Sequence, residues 1–245
     1  MKTTRILYMN KRVTMFCPPG MKLLLIIWLI CFFSNSYGQA LRLPLPLQGK
    51  IPFDFEALAL PPDFAWENQQ DSVWSLLYEG ETSNDQPTEV FAYYASPATL
   101  SGKKAGDKKY PAVVLVHGGG GTAFAVWVRE WARKGFAAIA MDLGGARPFP
   151  ESEQQHPWST HSEPLPKGAP DDTNGFKFMN IEKSFKEQWQ FHAVSNIIRA
   201  HSLIRSFADT DTTQTALTGI SWGGYLTNIV AGIDQRFKAA VPVYG

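Results

Sequence analysis

Gly219-Ile220-Ser221-Trp222-Gly223 reads G-x-S-x-G, a pattern in which a serine hydroxyl can attack a carbonyl carbon and carry an acyl group. An apolar run, "TALTGI", leads into Ser221, and a helix is expected from Trp222 to Ala231. A serine on the sharp turn between such elements stands clear of both. The helix N-terminus behind it also favours the negative charge that builds up during attack. Glycine is expected at 219 and 223 because a side chain at either would collide with the neighbouring strand or helix, and Gly224 adds room.

Attack on a carbonyl also needs N–H donors aimed at the developing oxyanion. His117-Gly118-Gly119-Gly120-Gly121 follows the apolar run "YPAVVLV", and bare glycine backbone can approach that closely. Trp222 is expected to give one donor and Gly119 the other, with Gly118 and Gly120 as alternatives. A glycine run after a strand can instead cradle phosphate. Here G-x-G-x-x-G fits only loosely and the Lys-Ser/Thr of a P-loop is lacking.

The serine further needs a base. The chain has five histidines. His117 is expected to brace the glycine loop, and His192 and His201 to be satisfied surface or boundary residues of a long helix. His156 and His161, in a long loop, are the mobile candidates. Asp142 ends a strand on the appropriate edge, but a lone acid does not activate a serine.

The elements that must position these groups alternate. "VWSLLYE" (Val73 to Glu79) and "EVFAYY" (Glu89 to Tyr94) suggest an antiparallel pair, preceded by an extended Pro/Leu-rich segment from Leu41 to Pro62. From Tyr110 onward, buried strands ("YPAVVLV", "FAAIAMD", "TALTGI", "KAAVPVY") alternate with helices at Thr122 to Lys134, about Ser184 to Phe207, and Trp222 to Ala231. That alternation implies an α/β fold with a mostly parallel sheet and helices on both faces. Residues 143–183 are too long for an ordinary connection and leave the ligand-binding edge of the sheet, so they are expected to form a cap or substrate-side wall.

The front end reads as a leader. Met21-Lys22 precedes the apolar run Leu23 to Phe33, and Ser36 and Gly38 suit the −3 and −1 positions of a cleavage site. Residues 1–38 are thus expected to be an upstream start plus signal peptide, giving a secreted or periplasmic chain without stable membrane association. Both cysteines, Cys17 and Cys31, leave with it. Five basic residues leave too, so 18 basic residues face 22 acidic ones. No basic stripe points to nucleic acid.

"VLVHGGGGTAF", "AAIAMDLGGARP", "GISWGGYL" and "KAAVPVYG" together resemble the α/β-hydrolase superfamily, in particular its secreted acetyl-xylan-esterase and prolyl-oligopeptidase-like branch. The resemblance runs from about Val73 to the last residue. It implies a Ser–acid–His triad in that chain order and hydrolysis of small-molecule or carbohydrate esters, or in some members of peptides, without metal or cofactor. In that branch the acid and histidine follow later strands. They are therefore expected beyond residue 245, with residues 39–245 an incomplete domain lacking its last strands and helices, and inactive alone. A catalytically silent, glycan-binding protein is the remaining reading.

Overall fold

A computed structural model of the protein describes residues 52–102, 108–170, 177–178 and 181–245. The leader expected over residues 1–38 lies outside these, and the described residues belong to a unit spanning Pro52–Gly245. In chain order the elements are α1 (Phe55–Leu58), β1 (Phe64–Asn68), β2 (Trp74–Glu79), β3 (Glu89–Ala95), α2 (Pro97–Leu100), β4 (Tyr110–Val116), α3 (Ala125–Arg133) and β5 (Ala137–Met141). They continue with β6 (Ala146–Pro148), β7 (Ser162–Pro164), α4 (Trp189–Ser206), β8 (Thr210–Ile220), α5 (Trp222–Ile233) and β9 (Ala239–Val243).

The continuous apolar runs became central strands because both of their faces are covered. Val113 and Leu115 of β4, with Ala138 and Ala140 of β5, pack against Val128 and Ala132 of α3. The alternate residues Val114, Val116, Ile139 and Met141 face Ile197 and Leu203 of α4 and Leu226 and Val230 of α5. The seven-stranded sheet has the order β1-β2-β3-β5-β4-β8-β9. Its β5-β4-β8-β9 half is parallel, and the pairs β1–β2, β2–β3 and β3–β5 are antiparallel. This is the α/β-hydrolase arrangement, with an antiparallel side of three strands where the sequence suggested two. Two further differences are local. Of the segment expected to be extended from Leu41 to Pro62, residues 41–51 lie outside the described ones, and Phe55–Leu58 is one helical turn, capped by the Asp54 carboxylate on the Ala57 N–H at 3.1 Å. Strand β1 pairs with β2 in a run too short for its pattern to stand out.

Helix α4 departs furthest from expectation. His192 and His201, expected at a surface or boundary, are 1% and 0% exposed. The cause is the N-terminal part of the chain, which lies over the helix face that would otherwise meet water. Ser202 Oγ donates to the Leu58 carbonyl at 2.7 Å, and Tyr78 Oη donates to the Asn196 carbonyl at 2.8 Å. Phe53 stacks on Phe191 at 5.5 Å. Buried polar groups need partners there, and His201 has them on both nitrogens: Asp234 Oδ2 at 2.7 Å and Thr215 Oγ1 at 2.9 Å.

The insertion between β5 and α4 holds an antiparallel β6–β7 hairpin. Trp158 of the insertion lies 5.3 Å from Phe124 and 6.4 Å from Trp127, ring to ring, just before and within α3.

Candidate active site

Strand β8 delivers Ser221 to the sheet edge, and α5 begins with the next residue. Ser221 has φ 57° and ψ −119°, a conformation that costs a non-glycine residue about 1–3 kcal/mol and persists only where the surroundings enforce it. They do so here. The Ser221 N–H donates to the Val243 carbonyl of β9 at 2.8 Å, and the Ser221 carbonyl accepts from the Tyr225 N–H at 3.0 Å. The sharp turn also needs its flanking glycines. A Cβ on Gly219 would lie 2.3 Å from the Gly223 carbonyl oxygen, and one on Gly223 would lie 2.1 Å from that of Val116. The crossing of α5 over β4 leaves no room for a side chain. Ser221 itself is exposed.

The glycine loop after β4 lies against this turn. A Cβ built on Gly118 would be 3.4 Å from Ser221 Cβ, and one on Gly119 would be 2.6 Å from Trp222 Cδ1. The structure therefore brings together Ser221, Gly119 and Trp222, the three expected site residues. Within the loop, Gly121 N–H donates to the Gly118 carbonyl at 3.1 Å. No hydrogen bond among the described residues engages the N–H groups of Gly118, Gly119, Gly120 or Trp222. The Trp222 N–H opens a helix, where the first donors have no intrahelical partner.

His117 braces the loop from beneath. Its Nε2 accepts from the Leu143 N–H at 3.0 Å, so the ring proton sits on Nδ1, which donates to the Gly118 carbonyl at 2.7 Å. Both nitrogens are thereby used. Asp142 performs the matching task for the loop after β5. Its carboxylate accepts from Thr122 Oγ1 and from the N–H groups of Gly144 and Ala146, each at 2.8 Å. Burial raises its pKa from the ordinary carboxylate value, against the opposing pull of His117 and of those hydrogen bonds.

Sequence reasoning missed the aromatic wall beside the serine. The Trp222 indole meets Trp189 of α4 edge-on at 6.0 Å, Tyr225 at 5.3 Å and Phe178 at 5.6 Å. The Lys177 ammonium lies 5.0 Å from the Trp189 ring and 5.4 Å from that of Trp222. Trp189 falls within the helix expected from about Ser184 to Phe207, but nothing local in the sequence ties it or Lys177 to Ser221. The histidines expected as mobile candidates make no hydrogen bond to the serine among the described residues. His156 and His161 are exposed, and no described side chain is hydrogen-bonded to Ser221 Oγ. The described residues hold no cluster of three or more potential metal ligands. No described helix is long and apolar enough to cross a membrane.

Comparison with known proteins agrees with this architecture. Residues 60–245 match the model of the acetyl xylan esterase (AXE1) family. The acetyl esterase Axe7A of Xylanibacter ruminicola is 28% identical over 159 residues, which cover 64% of this chain and 33% of that protein. Acetyl xylan esterase 1 from a Thermoanaerobacterium species superposes with a TM-score of 0.50 at 15% identity, covering 80% of this chain and 61% of its own. For an acetyl xylan esterase from a Paenibacillus species the values are 0.49, 20%, 80% and 63%. The chain thus spans a third of the length of that curated relative. With a family match over three quarters of its residues, the chain belongs to the acetyl xylan esterase (AXE1) family.

Proposed function

We propose that the protein is a serine esterase that removes acyl groups, acetyl in the first place, from carbohydrate. Ser221 Oγ attacks the ester carbonyl carbon, the N–H groups of Trp222 and Gly119 receive the oxyanion, and the sugar hydroxyl leaves. Water then cleaves the acyl-serine. The observation that carries this reading is the backbone of Ser221, φ 57° and ψ −119° between β8 and α5, with the glycine loop against it. The family description supports a carbohydrate acetyl ester as substrate.

The base in this proposal is a histidine, oriented by a carboxylate, from sequence beyond residue 245. Each buried histidine of the described residues has other partners: His117 and His201 through both nitrogens, and His192 through Nε2 on the Lys186 carbonyl at 2.8 Å. The insertion at 143–183 serves as a substrate-side wall. The chain is exported after cleavage near Gly38, so mass spectrometry of exported protein should find an N-terminus at or near Gln39. An intact Met1 would overturn that part.

Acetate release from acetylated xylo-oligosaccharides by the natural full-length protein tests the activity. Ser221→Ala should lower kcat/KM by about a thousandfold or more. Unchanged release in that variant would end the reading, and faster turnover of a peptide than of any ester would reassign the site to a peptidase.

A further inference from the structure

A second cleft, of about 560 Å³, opens between β1–β3, α3 and the β6–β7 hairpin. Its size falls within the range of about 300–1,000 Å³ typical of small-ligand sites. None of Ser221, Trp222 or the glycine loop lines it. Phe91 and Tyr93 of β3 contribute two rings, edge to face at 4.9 Å. On either side stands a guanidinium–carboxylate pair: Arg129 of α3 with Glu151, and Arg147 of β6 with Glu67 of β1. Arg147 also lies 5.9 Å from the Phe91 ring. Glu163 of β7 is exposed at the rim.

We propose that this cleft binds a neutral sugar unit of a polysaccharide chain. Sugar hydroxyls each donate and accept, and they need fixed groups of both kinds. Guanidinium and carboxylate groups already locked in pairs offer both, with little side-chain freedom left to lose on binding. Tyr93 adds a donor, since its hydroxyl has no hydrogen-bond partner among the described residues. Burial first, then the nearby Glu151 and Glu67 carboxylates, push its pKa up to about 12, so the phenol keeps its proton. The half-buried Tyr93 ring, braced edge to face by the buried Phe91, suits the apolar C–H face of a pyranose.

The charge selects against acids. Four carboxylates (Glu67, Asp71, Glu151, Glu163) face two guanidinium groups, so a uronate or phosphate meets net repulsion. The insertion gains a purpose too, because Arg147, Glu151 and Glu163 all come from it. The cleft and the serine site share elements of the scaffold. Ala125, at its edge, opens the helix that follows the glycine loop, and the Phe91 carbonyl accepts from the Asp142 N–H at 2.9 Å. The choice of a glycan rests on the carbohydrate-esterase reading, whereas the charge and ring chemistry of the cleft do not.

Calorimetric titration of the natural full-length protein with neutral xylo-, cello- and manno-oligosaccharides, and with a glucuronate-bearing oligosaccharide, tests the proposal. At least one neutral oligosaccharide should bind saturably, equally well in Ser221→Ala, and about 3- to 10-fold more weakly in Tyr93→Phe, as expected for loss of one hydrogen bond. Turnover of a small aryl acetate should be unchanged by Tyr93→Phe. Glu163→Gln, at an exposed position, should weaken neutral binding and ease the exclusion of the acidic oligosaccharide. Three outcomes overturn the proposal: no saturable neutral binding, equal binding by Tyr93→Phe and wild type, or preference for the acidic oligosaccharide. Saturable, Tyr93-dependent binding without aryl acetate turnover supports the cleft and overturns the esterase reading, which separates the two.

Discussion

The Ser221 N–H donates to the Val243 carbonyl at 2.8 Å, so the strained turn of the proposed nucleophile is tied to the neighbouring strand β9. The serine is thereby held in a conformation it would not choose, and that has a measurable consequence. Ser221→Gly should relieve about 1–3 kcal/mol of strain against about 0.5–1 kcal/mol of added backbone entropy in the unfolded chain. Urea unfolding should find the glycine variant at least as stable as wild type while ester hydrolysis disappears. A clear destabilisation would show that the serine backbone is not strained.

Two glycines of α5 should respond in opposite directions to the same substitution. A Cβ at Gly223 would lie 2.1 Å from the Val116 carbonyl oxygen, whereas one at Gly232 meets nothing within 4 Å. Gly223→Ala is expected to cost about 2 kcal/mol or more through overpacking. Gly232→Ala should be neutral or stabilising by up to about 1 kcal/mol through helix propensity. Thermal melts of the pair would settle the contrast, and equal effects would contradict the close crossing of α5 over β4.

His201 gives the fold a pH dependence. Burial lowers its pKa below the ordinary value, and the Arg236 and Arg205 charges act the same way, outweighing the opposing pull of Asp234. Burial alone would raise the pKa of Asp234. Hydrogen bonds from Arg236 and His201 outweigh it and hold the carboxylate well below its usual range. A histidine with a lowered folded-state pKa contributes stability above its unfolded pKa of about 6.5 and loses it as pH falls through that value. His192, also lowered by burial, adds in the same direction. Stability should therefore drop between pH 7.5 and 5.5. His201→Gln should be less stable at pH 7.5 but lose less on acidification, and an equally steep loss in that variant would exclude His201 as a cause.

Residues 39–245 expressed alone should hydrolyse an aryl acetate no faster than their own Ser221→Ala variant. A serine without a base stays protonated and weakly nucleophilic at neutral pH. Turnover abolished by Ser221→Ala in that stretch would instead place a working base among the residues present, with His156 and His161 the first to examine.

Much of this was legible because the informative signals are local. The runs through Val113–Val116 and Ala137–Met141 announce strands covered on both faces, and Gly219 and Gly223 announce a backbone crossing that a Cβ forbids. The glycine loop could be placed beside Ser221 only through the parallel pairing of β4 with β8, which the strand–helix alternation implies. What stayed hidden depends on distant chain. His192 and His201 carry no mark of burial, since the cover over α4 comes from residues such as Leu58 and Tyr78. The second cleft joins Glu67, Tyr93, Arg129 and Arg147, whose spacing in sequence suggests no common site.

The central claim is that Ser221 Oγ forms the covalent bond to the acyl group. The most direct measurement is peptide mapping by mass spectrometry after the natural full-length protein reacts with a fluorophosphonate. The account predicts a single stoichiometric adduct on the peptide containing Ser221, and none in Ser221→Ala. Labelling of a different residue, or none at all by a protein that still releases acetate from its substrate, would contradict it.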